Sequence, residues 1–507
     1  MLSNHINKAV LSVFCFSILI LTSCKKLDEI GPPINTIGPE AVFRTDEKAL
    51  SALAGMYSLM INQPDLPSMT CGIQSVMGAI LSDEGKYMGG NPNDDFFKFY
   101  TAQYNIDNLI SSMMWDAPFK IIYAANGIEE GVNSSTSAYL TQPTRRQILG
   151  EVKLVRAFIH FNLVNTFGEI PLITTTNVNI NKSIQKSSVA KVYERIETDL
   201  KDAFDLLTDD FIHNNGKKFR PNKYSAAALL ARLYLYQERW NEAAAMADTV
   251  IRSNKFSLAT IENAFAANNS EALWQLNQTE SGEKMLVDAS YFTPIAAYSS
   301  DPIENEFMFR EPEFYELLVA EGFIHSRIIA SDELVNSFAQ NDQRLRKWLD
   351  SIPSPYVAPY NGKTEYFSVK YNRAISTLTG TIPANLTYTV IRLAELYLIR
   401  AEALAKGNIN LIEAVNDVNI IRNRAGLDGI PVGNQQEVID AIEEERKLEL
   451  CFEWGHRWYD LKRTGKATST LGSLPHKQPW SELRLLLPIP ESEIVANPRL
   501  TQNKDYR

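Results

Sequence analysis

Apolar residues recur at the spacing of an α-helix along most of this chain, and this pattern restricts the fold more than any other feature. The segment 46–61 follows Thr45, a typical N-cap residue, and its apolar face comprises Ala49, Leu50, Leu53, Ala54 and Tyr57. Similar stripes predict three more long helices, formed by Trp115, Phe119, Ile122 and Asn126, by Ile148, Val152, Val155, Ile159 and Leu163, and by Val192, Ile196, Leu200, Ala203 and Leu207. The chain is therefore predicted to be mainly α.

Two later stretches have the pattern of antiparallel helix pairs. One pair is predicted over 225–237 and 241–252, and the other over 392–406 and 411–424. Small residues let the two helices of a pair approach closely, and aromatic residues fill the space beside them; they are Ala228, Ala231, Ala244 and Ala401, with Tyr234 and Tyr397. This is the logic of a tetratricopeptide-like scaffold, although long insertions interrupt any regular 34-residue repeat.

The insertions are rich in Gly, Pro, Asn, Ser and Tyr and contain only short strand-like runs, such as 273–276 and 366–371. Long loops on a rigid scaffold usually serve a function. We predict a helical scaffold over about 40–252 and 386–465, a loop-rich irregular lobe with minor β structure over about 253–385, and a C-terminal segment over 466–507.

The N-terminus has the features of an export signal. Lys8 precedes an apolar run over 9–21, and small residues then lead to Cys24. The run is shorter than the ~20 residues that a membrane span needs. We predict a lipoprotein signal peptide over 1–23, acylation of Cys24 and a Pro- and Gly-containing tether over 24–39. The alternative is an ordinary secretory signal in which Cys24 is incidental.

Charge and cysteine content narrow the function classes. The net charge is −10 and no basic stripe is present, so nucleic acid is not an expected partner. Of the four cysteines, Cys15 leaves with the signal peptide and Cys24 is the predicted acylation site. Cys71 and Cys451 remain, and two buried free thiols are favoured over a bridge between them.

One acidic segment invites a chemical interpretation. Glu443, Glu444, Glu445, Glu449, Glu453, His456, Arg457 and Asp460 fall close together. A metal site is not predicted, because the segment contains a single E-x-x-H and the six histidines are scattered. We predict a structural lattice of surface ion pairs, with Glu443–Lys447 and Glu453–Arg457 paired at i, i+4.

Several phrases, in order along nearly the whole chain, together resemble the SusD/RagB family. They are 115–126, 156–158 with 167–172, 224–240, 392–403, 419–427, 444–463 and 487–503. The charged residues 25–29 are similar to the signal that sends Bacteroidetes lipoproteins to the outer face of the outer membrane.

The resemblance implies a lipid-anchored protein of the outer membrane that faces outward and partners a SusC-like TonB-dependent transporter. Members capture oligosaccharides, or peptides in the RagB branch, and they are neither enzymes nor cofactor-dependent. Glycan is the favoured ligand here, with a RagB-like peptide binder as the alternative. A surface glycoside hydrolase and a purely structural scaffold are the competing classes.

Sugar binding calls for aromatic platforms beside hydrogen-bonding side chains. The resemblance places the family's ligand site in two loop-rich regions, here around 83–100 and 291–315. From residue type, the candidates are Asp83, Tyr87, Asn93 and Tyr100 in the first region and Tyr291 and Tyr298 in the second.

Overall fold

The structure, a computed structural model, describes residues 39–61, 69–88, 91–278, 287–292, 328–353, 363–371 and 386–506. Residues 1–38, with Cys24 and nearly all of the predicted tether, lie outside this part of the chain, as does much of the predicted irregular lobe. Helices dominate, which confirms the predicted mainly α class.

The described helices are numbered in chain order. They are α1 Pro39–Val42, α2 Asp46–Ile61, α3 Ile73–Leu81, α4 Asp95–Tyr100, α5 Leu109–Ser134, α6 Gln142–Phe167, α7 Val178–Asn181, α8 Val189–Leu206, α9 Lys223–Tyr236, α10 Trp240–Ile251, α11 Val287–Phe292, α12 Asp332–Ser337, α13 Gln343–Lys347, α14 Leu393–Lys406, α15 Leu411–Arg424, α16 Gln435–Glu449, α17 His456–Arg463, α18 Ala467–Leu471 and α19 Glu491–Ala496.

The described strands are short. They are β1 Gly85–Tyr87, β2 Ile170–Pro171, β3 Lys186–Ser187, β4 Ala272–Gln278, β5 Ile328–Ala330, β6 Leu349–Pro353, β7 Thr364–Ser368 and β8 Leu386–Arg392. They form antiparallel pairs, β1 with β5, β2 with β3, β4 with β8 and β6 with β7. The runs predicted around Trp274 and Tyr366 are therefore strands.

The long helices stack in sequence to form the scaffold. Helix α2 packs on α5, α5 on α6, α6 on α8, α8 on α9 and α9 on α10; α10 then packs on α14, and α14 on α15 and α16. Thr45 caps α2 as predicted, accepting a hydrogen bond from the Lys48 backbone N–H at 3.4 Å. The buried face of α2 is formed by Ala49, Leu53, Met56 and Met60, whereas the predicted Ala54 is exposed.

The two predicted helix pairs are confirmed as α9–α10 and α14–α15. Ala228, Ala231 and Ala401 are completely buried, so the helices meet closely. Arg232 on α9 donates to both carboxylate oxygens of Glu395 on α14, at 2.7 and 2.6 Å. The two pairs are thus joined by a buried ion pair as well as by apolar packing.

A buried ion network joins the β4–β8 ladder to the last scaffold helices. Its members are Lys370, Arg344, Arg392 and Arg424 with Glu271, Asp342, Glu445, Glu449 and Glu453. Arg392 donates to Glu271 at 2.8 Å and, through Nε, to Glu453 at 2.8 Å. Burial alone would raise the pKa of Glu449, but Arg424, Arg392 and Arg344 outweigh it and hold that pKa well below its usual range.

The structure contradicts two predicted ion pairs. Glu453 is buried and accepts from Arg392 and Lys370 rather than from Arg457. The reason is that α16 ends at Glu449 and α17 begins at His456, so Glu453 lies in a turn and not one helical turn before Arg457. Glu443 accepts from Lys466, and Lys447 donates to Ser337. The predicted structural role holds, but both pairings were wrong and much of the lattice is internal.

The two remaining cysteines follow the prediction. Cys71 and Cys451 are both buried, and no disulfide joins them. Burial raises the pKa of Cys451 to about 12, so this thiol stays protonated at neutral pH and is a packing residue.

Replacing Arg392 by Gln is expected to destabilise the protein by about 3–5 kcal/mol, because Glu271, Glu449 and Glu453 lose their shared cation inside the protein. The matched control is Arg252→Ala, which removes an exposed i, i+4 pair with Asp248 and is expected to cost less than about 0.5 kcal/mol. Urea unfolding of the three proteins measures both values, and equal losses would contradict the account.

Candidate functional site

Most of the predicted ligand-binding residues lie on elements that contact one another. Asp83 follows α3 and Tyr87 ends β1. Asn93 precedes α4, Tyr100 ends it, and Tyr291 lies on α11. Helix α3 contacts β1, α4 and α11, which gathers these residues at one side of the fold. Tyr298, like Cys24, lies outside the described residues.

Asp83 anchors this region to the scaffold. Both of its carboxylate oxygens accept from Arg457 on α17, at 2.7 and 2.8 Å, and the residue is 7% exposed. Burial would raise the pKa of Asp83, but the hydrogen bonds and charge of Arg457 lower it below the usual value. Its backbone carbonyl accepts from the Ser331 hydroxyl at 2.5 Å. Both of its oxygens are engaged by Arg457, so Asp83 ties this region to the scaffold, and its contact with a ligand stays a prediction.

Helix α4 begins at a side-chain cap and carries aromatic residues on two faces. The Asp94 carboxylate accepts from the Phe96 backbone N–H at 2.7 Å, and the exposed Asn93 lies in the preceding turn. Phe96 and Phe99 point into the core, while Phe97 and Tyr100 are half-buried. This alternation leaves two rings of α4 at the surface.

Neighbouring rings extend this helix face. Phe96 lies 4.7 Å from Tyr291 between ring centroids, and Tyr87 lies 6.4 Å from both Phe96 and Phe97. Tyr100 stacks on His476 at 4.0 Å with an interplanar angle of 7°. We call these rings the aromatic surface; Phe97, Tyr100, Tyr291 and His476 are half-buried, and Tyr87 and Phe96 are buried beneath them.

The exposed rings of this surface are uncharged near neutral pH. Burial, followed by the charges of Glu333 and Asp332, raises the pKa of Tyr100 to about 12, so its hydroxyl keeps its proton. Burial and the neighbouring Lys477 lower the pKa of His476 to about 4, which leaves the imidazole neutral. Such a surface favours a neutral ligand with apolar C–H faces.

Charged side chains lie on the elements next to the rings: Lys86 precedes Tyr87 on β1, and the charge of Asp332 on α12 acts on Tyr100. Lys86 Nζ lies 3.8 Å from Glu365 Oε1, with the lysine side chain 41% exposed. Lys363 Nζ lies 3.6 Å from Asp332, and both side chains are largely exposed. We call these side chains the rim. Their long ion pairs leave hydrogen-bond donors and acceptors available for ligand hydroxyls.

Sequence reasoning missed two kinds of contributor. Phe97 could have been found, because the run 95–100 has an aromatic residue at four of its six positions. His476 and Lys477 carried no local signal, since they come from a turn near the C-terminus. Lys477 is buried beneath the site and donates to the carbonyls of Ile80 and Tyr100 at 2.8 and 2.9 Å.

The described part of the chain also bears on metal binding and on membrane-spanning helices. There, no group of three or more His, Cys, Asp or Glu side chains is arranged to hold a metal ion. Among the described helices, none combines the length and apolar character needed to cross a membrane.

The fold and the surface together define a class: a helical-pair scaffold that presents aromatic residues on short helices at one side. A family model described as "SusD family" matches residues 298–506, and one described as "Starch-binding associating with outer membrane" matches residues 78–235. Over these two ranges the chain is similar to proteins of the SusD/RagB family.

Individual relatives show the same similarity. SusD-like protein P2 of Formosa agariphila is 28% identical over 97% of this chain and 98% of its own length. A solved "Laminarin binding SusD-like protein" is 26% identical with a TM-score of 0.72, covering 92% of this chain and all of that one. Surface glycan-binding protein A of Bacteroides uniformis shares the fold at 20% identity, with a TM-score of 0.73 and coverage of 90% and 99%.

The contact that positions α3 gives a prediction. A Cβ at Gly78 would lie 2.2 Å from the Cα of Gly455, so Gly78→Ala forces α3 away from the turn before α17. We expect a loss of about 2 kcal/mol or more in unfolding free energy. Gly55→Ala on α2 is the matched control, because nothing lies within 4 Å of its added Cβ and alanine favours a helix by about 1 kcal/mol. Thermal unfolding that ranks the variants in the opposite order would be incompatible with this packing.

Proposed function

We propose that this protein binds a neutral glycan through the aromatic surface and does not cleave it. The observation that carries the proposal is the set of uncharged, half-buried rings on α4 and α11 with an open polar rim. The relationship to a laminarin-binding SusD-like protein at 26% identity supports a saccharide as the ligand class. Tyr87, Asn93, Tyr100 and Tyr291 stay in the proposed site, joined by Phe97, His476 and Lys86.

The binding mode follows from the chemistry of the rings. A pyranose ring lays its C–H face on an aromatic side chain and leaves its hydroxyls at the edge. Tyr100 is held in plane by its stack on His476, and Tyr291 by its contact with Phe96. Rigid platforms lose little conformational entropy on binding, which favours affinity.

A role in binding fits the carboxylates better than a role in hydrolysis. A glycosidase needs two carboxyl groups that face the bound sugar. In the described part of the chain, carboxylates of the acidic segment 443–460 form ion pairs with arginines. Glu445 and Glu449 pair with Arg344, and Asp460 pairs with Arg446 and Arg463. Carboxylates held in this way stabilise the fold and are not placed for acid–base work.

We further propose the cellular setting. Residues 1–23 direct export, Cys24 carries the acyl anchor, 24–39 form the tether, and 40–507 form one SusD-like domain that faces outward from the outer membrane. A SusC-like TonB-dependent transporter receives the glycan. The family model named for association with the outer membrane supports this location.

Tyr100→Ala and Tyr291→Ala are each expected to weaken glycan binding by about 2 kcal/mol or more, because each removes a platform. Tyr139→Ala, at a tyrosine that is 71% exposed elsewhere on the surface, is the matched control. Isothermal titration with laminarin and a panel of other neutral glycans measures affinity, and a reducing-end assay on the same mixtures is expected to detect no product. Unchanged affinity in both variants would refute the site, and multiple turnover would refute the binding role.

Cys24→Ala is expected to abolish incorporation of an alkyne-tagged fatty acid and to release the protein from the membrane fraction, because two or more acyl chains are what hold it there. Cys71→Ala is the control, since that thiol is buried in the fold. Labelling that persists in Cys24→Ala would contradict the anchor.

A further inference from the structure

An open groove crosses the scaffold apart from the aromatic surface. It lies between the middle of α5, the segment from Ile173 through α7, and Glu493 on α19, and it encloses about 830 Å³. It shares no lining residue with the aromatic surface. We call it the α5–α7 groove.

Apolar side chains in this groove are exposed to an unusual degree. Tyr123 is 49% exposed and Val178 is 65% exposed, and Phe119 lies one helical turn before Tyr123 on the same face of α5. A tyrosine and a phenylalanine side by side offer a platform of the kind that packs against the C–H face of a sugar.

Two side-chain oxygens in the groove lack a donor. Asp116 Oδ1 and Asn181 Oδ1 are buried, and no described residue donates a hydrogen bond to either. The Asn181 amide nitrogen donates to the Thr175 carbonyl at 2.7 Å, which fixes the orientation of the amide and identifies its oxygen as the free acceptor. Buried acceptors usually pair with a protein group or with ordered water, so these two oxygens mark the polar part of the groove wall.

The charges that line the groove are balanced. Asp116 and Glu493 lie near one another and are offset by Lys120 and Lys182. A strongly anionic or cationic ligand would meet a like charge there. A neutral ligand with hydroxyl groups can hydrogen-bond with these side chains without that conflict.

We propose that the α5–α7 groove is a second saccharide-binding site, in which a neutral sugar ring packs on Tyr123 and Phe119 and its hydroxyls hydrogen-bond with the polar side chains that line the groove, Asp116, Lys120, Asn181 and Lys182. This proposal rests on the proposed function, because it takes a glycan as the ligand class. A long polysaccharide that reaches both sites on one molecule gains avidity over a short oligosaccharide.

The test uses native affinity electrophoresis of the full chain in gels that contain laminarin, starch or another neutral polysaccharide. Tyr123→Ala is compared with Tyr139→Ala as an exposed-tyrosine control and with Tyr123→Trp, which keeps the platform. In the polysaccharide that retards the wild type, Tyr123→Ala is expected to weaken apparent affinity by about tenfold. Tyr123→Trp and Tyr139→Ala are expected to match the wild type. Thermal unfolding confirms that each variant is folded.

Combining variants separates this proposal from the proposed function. The pair Tyr100→Ala and Tyr291→Ala is expected to leave residual retardation, which Tyr123→Ala then removes. If that pair alone abolishes binding and Tyr123→Ala equals its control, the second site is overturned while the proposed function stands. If Tyr123→Ala alone abolishes binding and the pair has no effect, the groove stands and the aromatic surface is refuted. If no glycan in the panel retards the wild type, both fall.

Discussion

The buried ion network around Glu449 and Arg392 is the interaction on which the rest of the structure depends. Its cations and carboxylates come from β8, α13, α15 and α16, from the residues just before β4 and α13, from the segment after β7 and from the turn before α17, so one cluster fixes elements that are distant in sequence. Taking these charges out of water costs free energy, which their close pairing offsets only when every partner is present. The network therefore specifies one arrangement of the scaffold rather than simply adding stability.

The same logic extends from the network to the ligand-binding side. Glu453 in the turn between α16 and α17 pairs with Arg392, and Arg457 in the first turn of α17 pairs with Asp83. Asp83 lies two residues before β1, and its carbonyl accepts from Ser331, which follows β5. Two ion pairs, Arg392–Glu453 and Arg457–Asp83, therefore link the rings of Tyr87 and α4 to the core. This support holds the aromatic surface in a preorganised arrangement.

Sequence periodicity predicted the helices well because each depends on local spacing. Helices α2 and α15 begin and end where predicted, and α9, α10 and α14 lie within two residues of the prediction. Partners from distant parts of the chain were beyond such reasoning. Arg392 and Glu271 are 121 residues apart, and no local pattern links them. The Asp83–Arg457 ion pair is hidden from the sequence for the same reason, because its partners are 374 residues apart.

The central claim is that a glycan lies intact against the rings of α4 and α11. A crystal structure of the protein with the tightest-binding glycan of the panel tests it most directly. The account predicts an uncleaved sugar ring stacked on Tyr100 or Tyr291, with hydroxyls near Asn93 and Lys86 of the rim. A cleaved sugar, or an intact one bound only at positions remote from these side chains, would contradict it.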